Sequence, residues 1–193
     1  MKYSLKKSKK KIFLSKVIII ILILLIVLGS GITYKLYQRF FTPNIILPKN
    51  MKEVYVYIAA GSDINKVIDI LFEKEILINS NSLLWCASIK KYTNKIRPGR
   101  YKIDQNLNNN ELINLLRSGN QDPIKVTFNN IRNKQQLAGN IAKQIEADST
   151  ELLDYITDPL FLVENNFTQY NILCLFIPNT YEFYWNTSAE QFV

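Results

Sequence analysis

The sequence predicts an α+β protein behind one N-terminal transmembrane helix, and three observations carry that prediction. An uncharged apolar run lies near the N-terminus. Two stretches of period-two alternation come after it, each succeeded by segments with helical spacing of apolar residues. The charge is also unevenly placed. The chain holds 24 Lys and Arg against 16 Asp and Glu, yet Lys2, Lys6, Lys7, Lys9, Lys10, Lys11 and Lys16 all precede the apolar run, and without these seven the balance is 17 to 16. A nucleic-acid partner would call for a basic face on the folded part, so no nucleic acid is expected.

Residues 1–16 form the basic tail, and 17–36 read as the membrane span. No charge and no polar side chain interrupts Val17 to Leu28, and the apolar character continues to Tyr34. Those positions rise about 27 Å at 1.5 Å per residue, close to the roughly 30 Å hydrocarbon core. Tyr34 and Tyr37, with Lys35 and Arg39, stand where interfacial anchors belong. Positive residues resist translocation, which places the tail in the cytoplasm and the bulk of the chain outside it. A cleaved signal peptide is the competing reading, but its apolar core would be shorter and only Gly29-Ser30-Gly31 offers a cleavage site.

Residues 37–52 contain Pro43 and Pro48 without periodicity and read as a linker. From Glu53, the alternation of Val54, Val56 and Ile58 with Tyr55 and Tyr57 predicts a strand, which Gly61 and Ser62 end while capping the next helix. Ile64, Val67, Ile68, Leu71 and Phe72 share one face of that helix. A second helix at 80–89 carries Leu83, Leu84 and Ala87. After the Pro98-Gly99 turn, Tyr101 and Ile103 alternate with Arg100 and Lys102 as a second strand, and a helix at 110–117 closes at Gly119. The span 53–121 is thus one module. In 122–193, Ile124, Val126 and Phe128 mark a strand, Leu137, Ala138, Ile141, Ala142 and Ile145 a helix, and Leu152, Leu153 and Ile156 a shorter helix that stops before Pro159. Cys86 and Cys174 lie in apolar contexts that suit two buried thiols better than a disulfide framework. The absence of His removes the commonest general base and metal ligand, and neither a metal nor a cofactor is expected.

Several segments together resemble the endolytic murein transglycosylase family (MltG/YceG-like). They are Pro98-Gly99-Arg100-Tyr101-Lys102-Ile103, Leu115-Leu116-Arg117-Ser118-Gly119, Lys125-Val126-Thr127-Phe128, and Phe176-Ile177-Pro178-Asn179-Thr180-Tyr181-Glu182-Phe183-Tyr184-Trp185. The last is similar to that family's Pro-Asp/Asn-Thr-Tyr signature in a Bacteroidetes-type form. The resemblance implies a LysM-like module at 53–121 and the beginning of a mixed α/β catalytic domain at 122–193. It implies a bacterial inner-membrane protein that cleaves MurNAc-GlcNAc bonds of nascent peptidoglycan strands, leaving 1,6-anhydro-muramoyl ends, with cell-wall synthesis enzymes as partners. It also implies an acid/base glutamate. In many members that residue lies five positions before the signature proline, where this sequence has Leu173, followed by Cys174.

A lytic transglycosylase needs one carboxylate, because the C6 hydroxyl of the substrate is the nucleophile. Glu182 is the catalytic candidate, since it comes after the Pro178-Asn179-Thr180 turn among aromatic residues, and an apolar surround favours the protonated form it needs. On a strand, Glu182 and Tyr184 share one face, while Tyr181, Phe183 and Trp185 face the core. The plain alternative is that Glu182 is an exposed strand residue. Asn179 and Thr180, with Tyr184, are the candidate substrate-binding residues, against a simple turn-forming role for the first two. Tyr101 and Arg100 could contact glycan, although Tyr101 fits the core. A non-enzymatic envelope protein that binds glycan or a wall-synthesis partner through its module is the alternative function. Thr187-Ser188-Ala189-Glu190 reads as a capping box that opens a helix just before Val193, so the expectation is a C-terminally truncated chain, inactive by itself.

Overall fold

A computed structural model of the chain describes residues 2–93 and 95–193, with side chains from residue 16 onward. The lysines of the basic tail before Lys16 fall outside the described side chains. The chain divides into two units, residues 1–42 and 43–193. The first holds one helix, α1 (Lys2–Phe41). Within it, Lys16–Phe41 is long and apolar enough to cross a membrane, since 26 residues rise about 39 Å. The helix therefore continues past the expected end of the span at residue 36.

The second unit opens with a departure from the sequence expectation. Residues 43–47 are not a free linker. The N–H groups of Asn44 and Ile45 donate to Leu107 O, that of Ile46 to Ile76 O, and that of Ile78 to Asn44 O. Ile45 and Leu47 are buried, and the Asn44 amide bonds Asn79 O, Asn109 Oδ1 and the Asn79 N–H. An extended stretch this short has no period to betray it; pairing with neighbours is what fixes it.

β1 (Glu53–Ile58) and β2 (Gly99–Asp104) pair antiparallel, with α2 (Ile64–Glu73) and α3 (Ser80–Ile89) between them, and α4 (Asn109–Ser118) comes next. This is the predicted strand-helix-helix-strand order. Val56, Ile58, Tyr101 and Ile103 bury the inner sheet face against Val67 and Leu71. Asp63, rather than Ser62, caps α2 by accepting from Lys66 N–H at 2.8 Å. Helical spacing puts Phe72 on the core face, but it is 66 % exposed, because the buried stripe runs through Ile64, Val67, Ile68 and Leu71 and leaves position 72 at its margin. Leu84 likewise faces outward, and Cys86 takes the inner position between Leu83 and Ala87. Gly119, at φ 72°, ends α4 in the left-handed region.

β3 (Ile124–Phe128) pairs antiparallel with β4 (Asn179–Phe183). Between them lie α5 (Lys134–Ile141), α6 (Ser149–Thr157), α7 (Pro159–Glu164) and a 3-10 turn (Ile172–Leu175). Ala142 and Ile145 lie beyond the end of α5, where Ile145 is still buried. α6 stops before Pro159 as expected, and Pro159 itself then opens α7 at a position where its missing N–H costs nothing. The last helix, α8 (Ala189–Phe192), is capped by Ser188 with Gln191, not by Thr187 with Glu190. Thr187 is buried and spends its hydroxyl on Tyr184 O. Both cysteines are free, but only Cys86 is buried; Cys174 is exposed.

Candidate functional site

Period-two geometry divides β4 into two chemically different faces. Its inner face carries Tyr181 and Phe183. The Tyr181 ring stacks on Phe128 with centroids 5.6 Å apart, and Phe183 meets Phe192 at 5.2 Å. Phe192 in turn stacks on Phe176 at 6.0 Å. The Tyr181 hydroxyl donates to Ile177 O at 2.8 Å, which ties the strand to the segment before Pro178.

The outer face carries Thr180 and Glu182, opposite Thr127 and Lys125 of β3. The hydroxyls of Thr127 and Thr180 lie 2.8 Å apart. Asn179 folds its side chain back, Oδ1 accepting from the Thr180 N–H at 2.8 Å. Glu182 is exposed, and among the described residues its carboxylate closes no ion pair with Lys125. Tyr184, 54 % exposed, continues the face beyond the strand. A shallow hollow beside Glu182 is lined by Pro123, Phe183, Tyr184, Thr187 and Gln191.

The structure thus brings Glu182, Thr180 and Tyr184 to one surface and places Asn179 at its end. It also corrects the expected surroundings of Glu182. Aromatic neighbours in sequence lie mostly on the opposite face of the strand, so Glu182 is exposed to solvent. Leu173 sits in the 3-10 turn, half-buried against the second core. Tyr101 is fully buried, its hydroxyl donating to Arg97 O at 3.0 Å, which makes it a core residue. Arg100 is engaged as well. Its guanidinium lies 4.3 Å over the Tyr55 ring, pairs with Asp122 and donates to Pro123 O.

Sequence reasoning did not single out Lys125 and Thr127 as part of the surface. The only signal is the alternation in Ile124-Lys125-Val126-Thr127-Phe128, which fixes their face but not what stands opposite. Among the described residues no cluster of Cys, Asp and Glu is arranged to hold a metal ion.

The fold and this surface define an α+β protein with a helix able to span a membrane and an outward strand face bearing one carboxylate. The chain belongs to the YceG-like family, whose model matches residues 56–193. Among solved structures, it is similar to a yceG-like protein from Listeria monocytogenes, with 22 % identity and a TM-score of 0.36, over 73 % of this chain and 52 % of that one. The chain therefore spans about half the length of that relative. No curated protein matches it.

Proposed function

We propose that this chain is a membrane-anchored endolytic lytic transglycosylase acting on nascent peptidoglycan strands. The observation that carries the reading is membership of the YceG-like family across 56–193, with the signature segment forming a strand whose outward face holds Glu182. Glu182 protonates the oxygen of the MurNAc-GlcNAc bond as the bond to C1 breaks. The C6 hydroxyl of the same MurNAc then attacks C1, and the Glu182 carboxylate takes the hydroxyl proton. One carboxylic acid is regenerated, no water is consumed, and a 1,6-anhydro end is left. Asn179, Thr180 and Tyr184 hold the N-acetyl groups and sugar rings along the face. The LysM-like module at 53–121 contributes a second glycan contact, and the lysine tail orients the chain with its bulk outside the cytoplasm.

Leu173, standing where many members carry the glutamate, favours a second reading: a non-enzymatic envelope protein that binds glycan or a wall-synthesis partner. One experiment separates the two. The full chain in detergent is incubated with uncrosslinked glycan, and anhydro-muropeptides are sought by mass spectrometry. Release by the native chain and loss of release in Glu182→Gln supports the enzyme. Release that persists in the Gln variant moves the acid elsewhere, and glycan binding without release supports the second reading.

A further inference from the structure

The segment between α5 and α6 makes three contacts outside its own neighbourhood, and together they converge on the candidate strand pair. Gln144 lies along the free edge of β3. Its Oε1 accepts from Thr127 N–H at 2.9 Å and its Nε2 donates to Thr127 O at 3.0 Å, as an adjoining strand would. Thr127 therefore turns its backbone groups away from β4, which leaves it and Thr180 as a pair without ladder bonds and brings their hydroxyls together. Two residues on, the Glu146 carboxylate accepts from Ala60 N–H at 2.6 Å, across 86 positions of sequence. Ala60 sits in the turn after β1, where Ser62 N–H donates to Ala59 O and Gly61 adopts φ 74°, leaving the Ala60 N–H free to be taken. The backbone N–H of Glu146 donates to Trp185 O at 2.7 Å, and the Trp185 ring meets Tyr57 of β1 edge-on at 5.2 Å.

Glu146 thus joins the exit of β1 to the exit of β4. Trp185 is three residues past Glu182. Among the described residues no group of carboxylates here is arranged to hold a cation, and Asp148 Oδ1 and Glu151 Oε2 are held in the capping box of α6.

We propose that Glu146 is a positioning residue for the outer face of β4, a latch through which the β1–β2 module sets the placement of Glu182. The inference rests on the acid/base role proposed for Glu182. The latch works through an acceptor oxygen, so Gln, which keeps one, preserves it, and Ala, which has none, releases it.

The test compares the native full chain with Glu146→Ala and Glu146→Gln in detergent by amide hydrogen exchange and by release of anhydro-muropeptides. The Ala variant is expected to exchange about tenfold faster at Ala60 and at Tyr181 and Phe183, the scale of one lost bond to a charged group, with the amides of α3 unchanged. The Gln variant stays within about threefold of the native chain on the same scale. Turnover falls about tenfold in the Ala variant with KM held, and the Gln variant recovers it. Faster exchange confined to Ala60, or equal turnover in native and Ala proteins, overturns the latch. If the native chain shows no turnover, the transglycosylase reading is what fails, and exchange at Tyr181 and Phe183 still decides for or against the latch.

Discussion

Replacing Leu71 with alanine removes three carbon atoms from a side chain with no exposed surface, the last of the buried stripe of α2. The transfer cost is about 2.4 kcal/mol at about 0.8 per methylene, and the cavity left behind raises the expected loss to between about 2.4 and 5 kcal/mol. Phe72→Ala is the informative contrast. It deletes a larger group from the adjoining position, but one that is 66 % exposed, so its cost should stay within about 1 kcal/mol. For a folded part of this size each kcal/mol moves the melting midpoint by about 2 to 4 °C, which puts Leu71→Ala at least about 5 °C below the native protein. Trp85 on the neighbouring α3 supplies the fluorescence signal for thermal or urea unfolding in detergent. Equal losses from the two substitutions, or a larger loss from Phe72→Ala, would refute the assignment of the buried stripe.

Other parts of the molecule support three more expected outcomes. Burial leaves Cys86 without exposed surface and pushes its thiol up to about 11, so maleimide at neutral pH should modify one thiol of the native chain, Cys174, and two after denaturation; rapid modification of both without denaturant would contradict the packing of α3. The Lys66 N–H holds the Asp63 carboxyl below its ordinary 3.8, so the cap contributes stability above that value and loses it as pH falls through the lower folded value; Asp63→Asn should flatten this part of the acid limb of the melting curve, and an unchanged limb would count against the cap. Gly119→Ala should cost about 1 to 2 kcal/mol by denaturant titration, because a methyl group there adopts a left-handed backbone and meets Arg97 Cδ at 2.7 Å; a neutral result would mean that α4 ends differently.

Periodic elements were legible and unpaired or short ones were not. The β1 and β2 faces, the α3 boundaries and the Gly119 cap arise from alternation, helical spacing and one glycine. Residues 43–47 carry no period, and their place depends on Leu107 and Ile76, which no local pattern reveals. The end of α6 before Pro159 was legible and the start of α7 at Pro159 was not, because the same ring that ends one helix is tolerated in the first turn of the next. At the site, period two assigned Glu182 and Tyr184 to one face correctly. The expectation of an apolar surround failed for the same geometric reason: residues adjacent in a strand point to opposite faces, so Tyr181 and Phe183 pack into the core while Glu182 is exposed. Lys125 and Thr127 required the register of β3 against β4, which the sequence leaves open.

The composition of the outer face bears on which sugar chemistry it suits. A hydrolase that retains or inverts configuration places two carboxyl groups across the scissile bond, about 5 to 9.5 Å apart, one as acid and the other as nucleophile or base. Opposite Glu182 stands Lys125, the next pair along the face is Thr127 with Thr180, and the hollow beside it is completed by Pro123, Phe183, Tyr184, Thr187 and Gln191. None of these is a second carboxylate. The proposed transglycosylation asks for one carboxylate only, because its nucleophile comes from the substrate. The C6 hydroxyl of a muramoyl residue meets that requirement, since its attack on C1 closes the anhydro ring without an activated water. The proposed reaction is compatible with a face built from Glu182, Lys125 and the threonine pair.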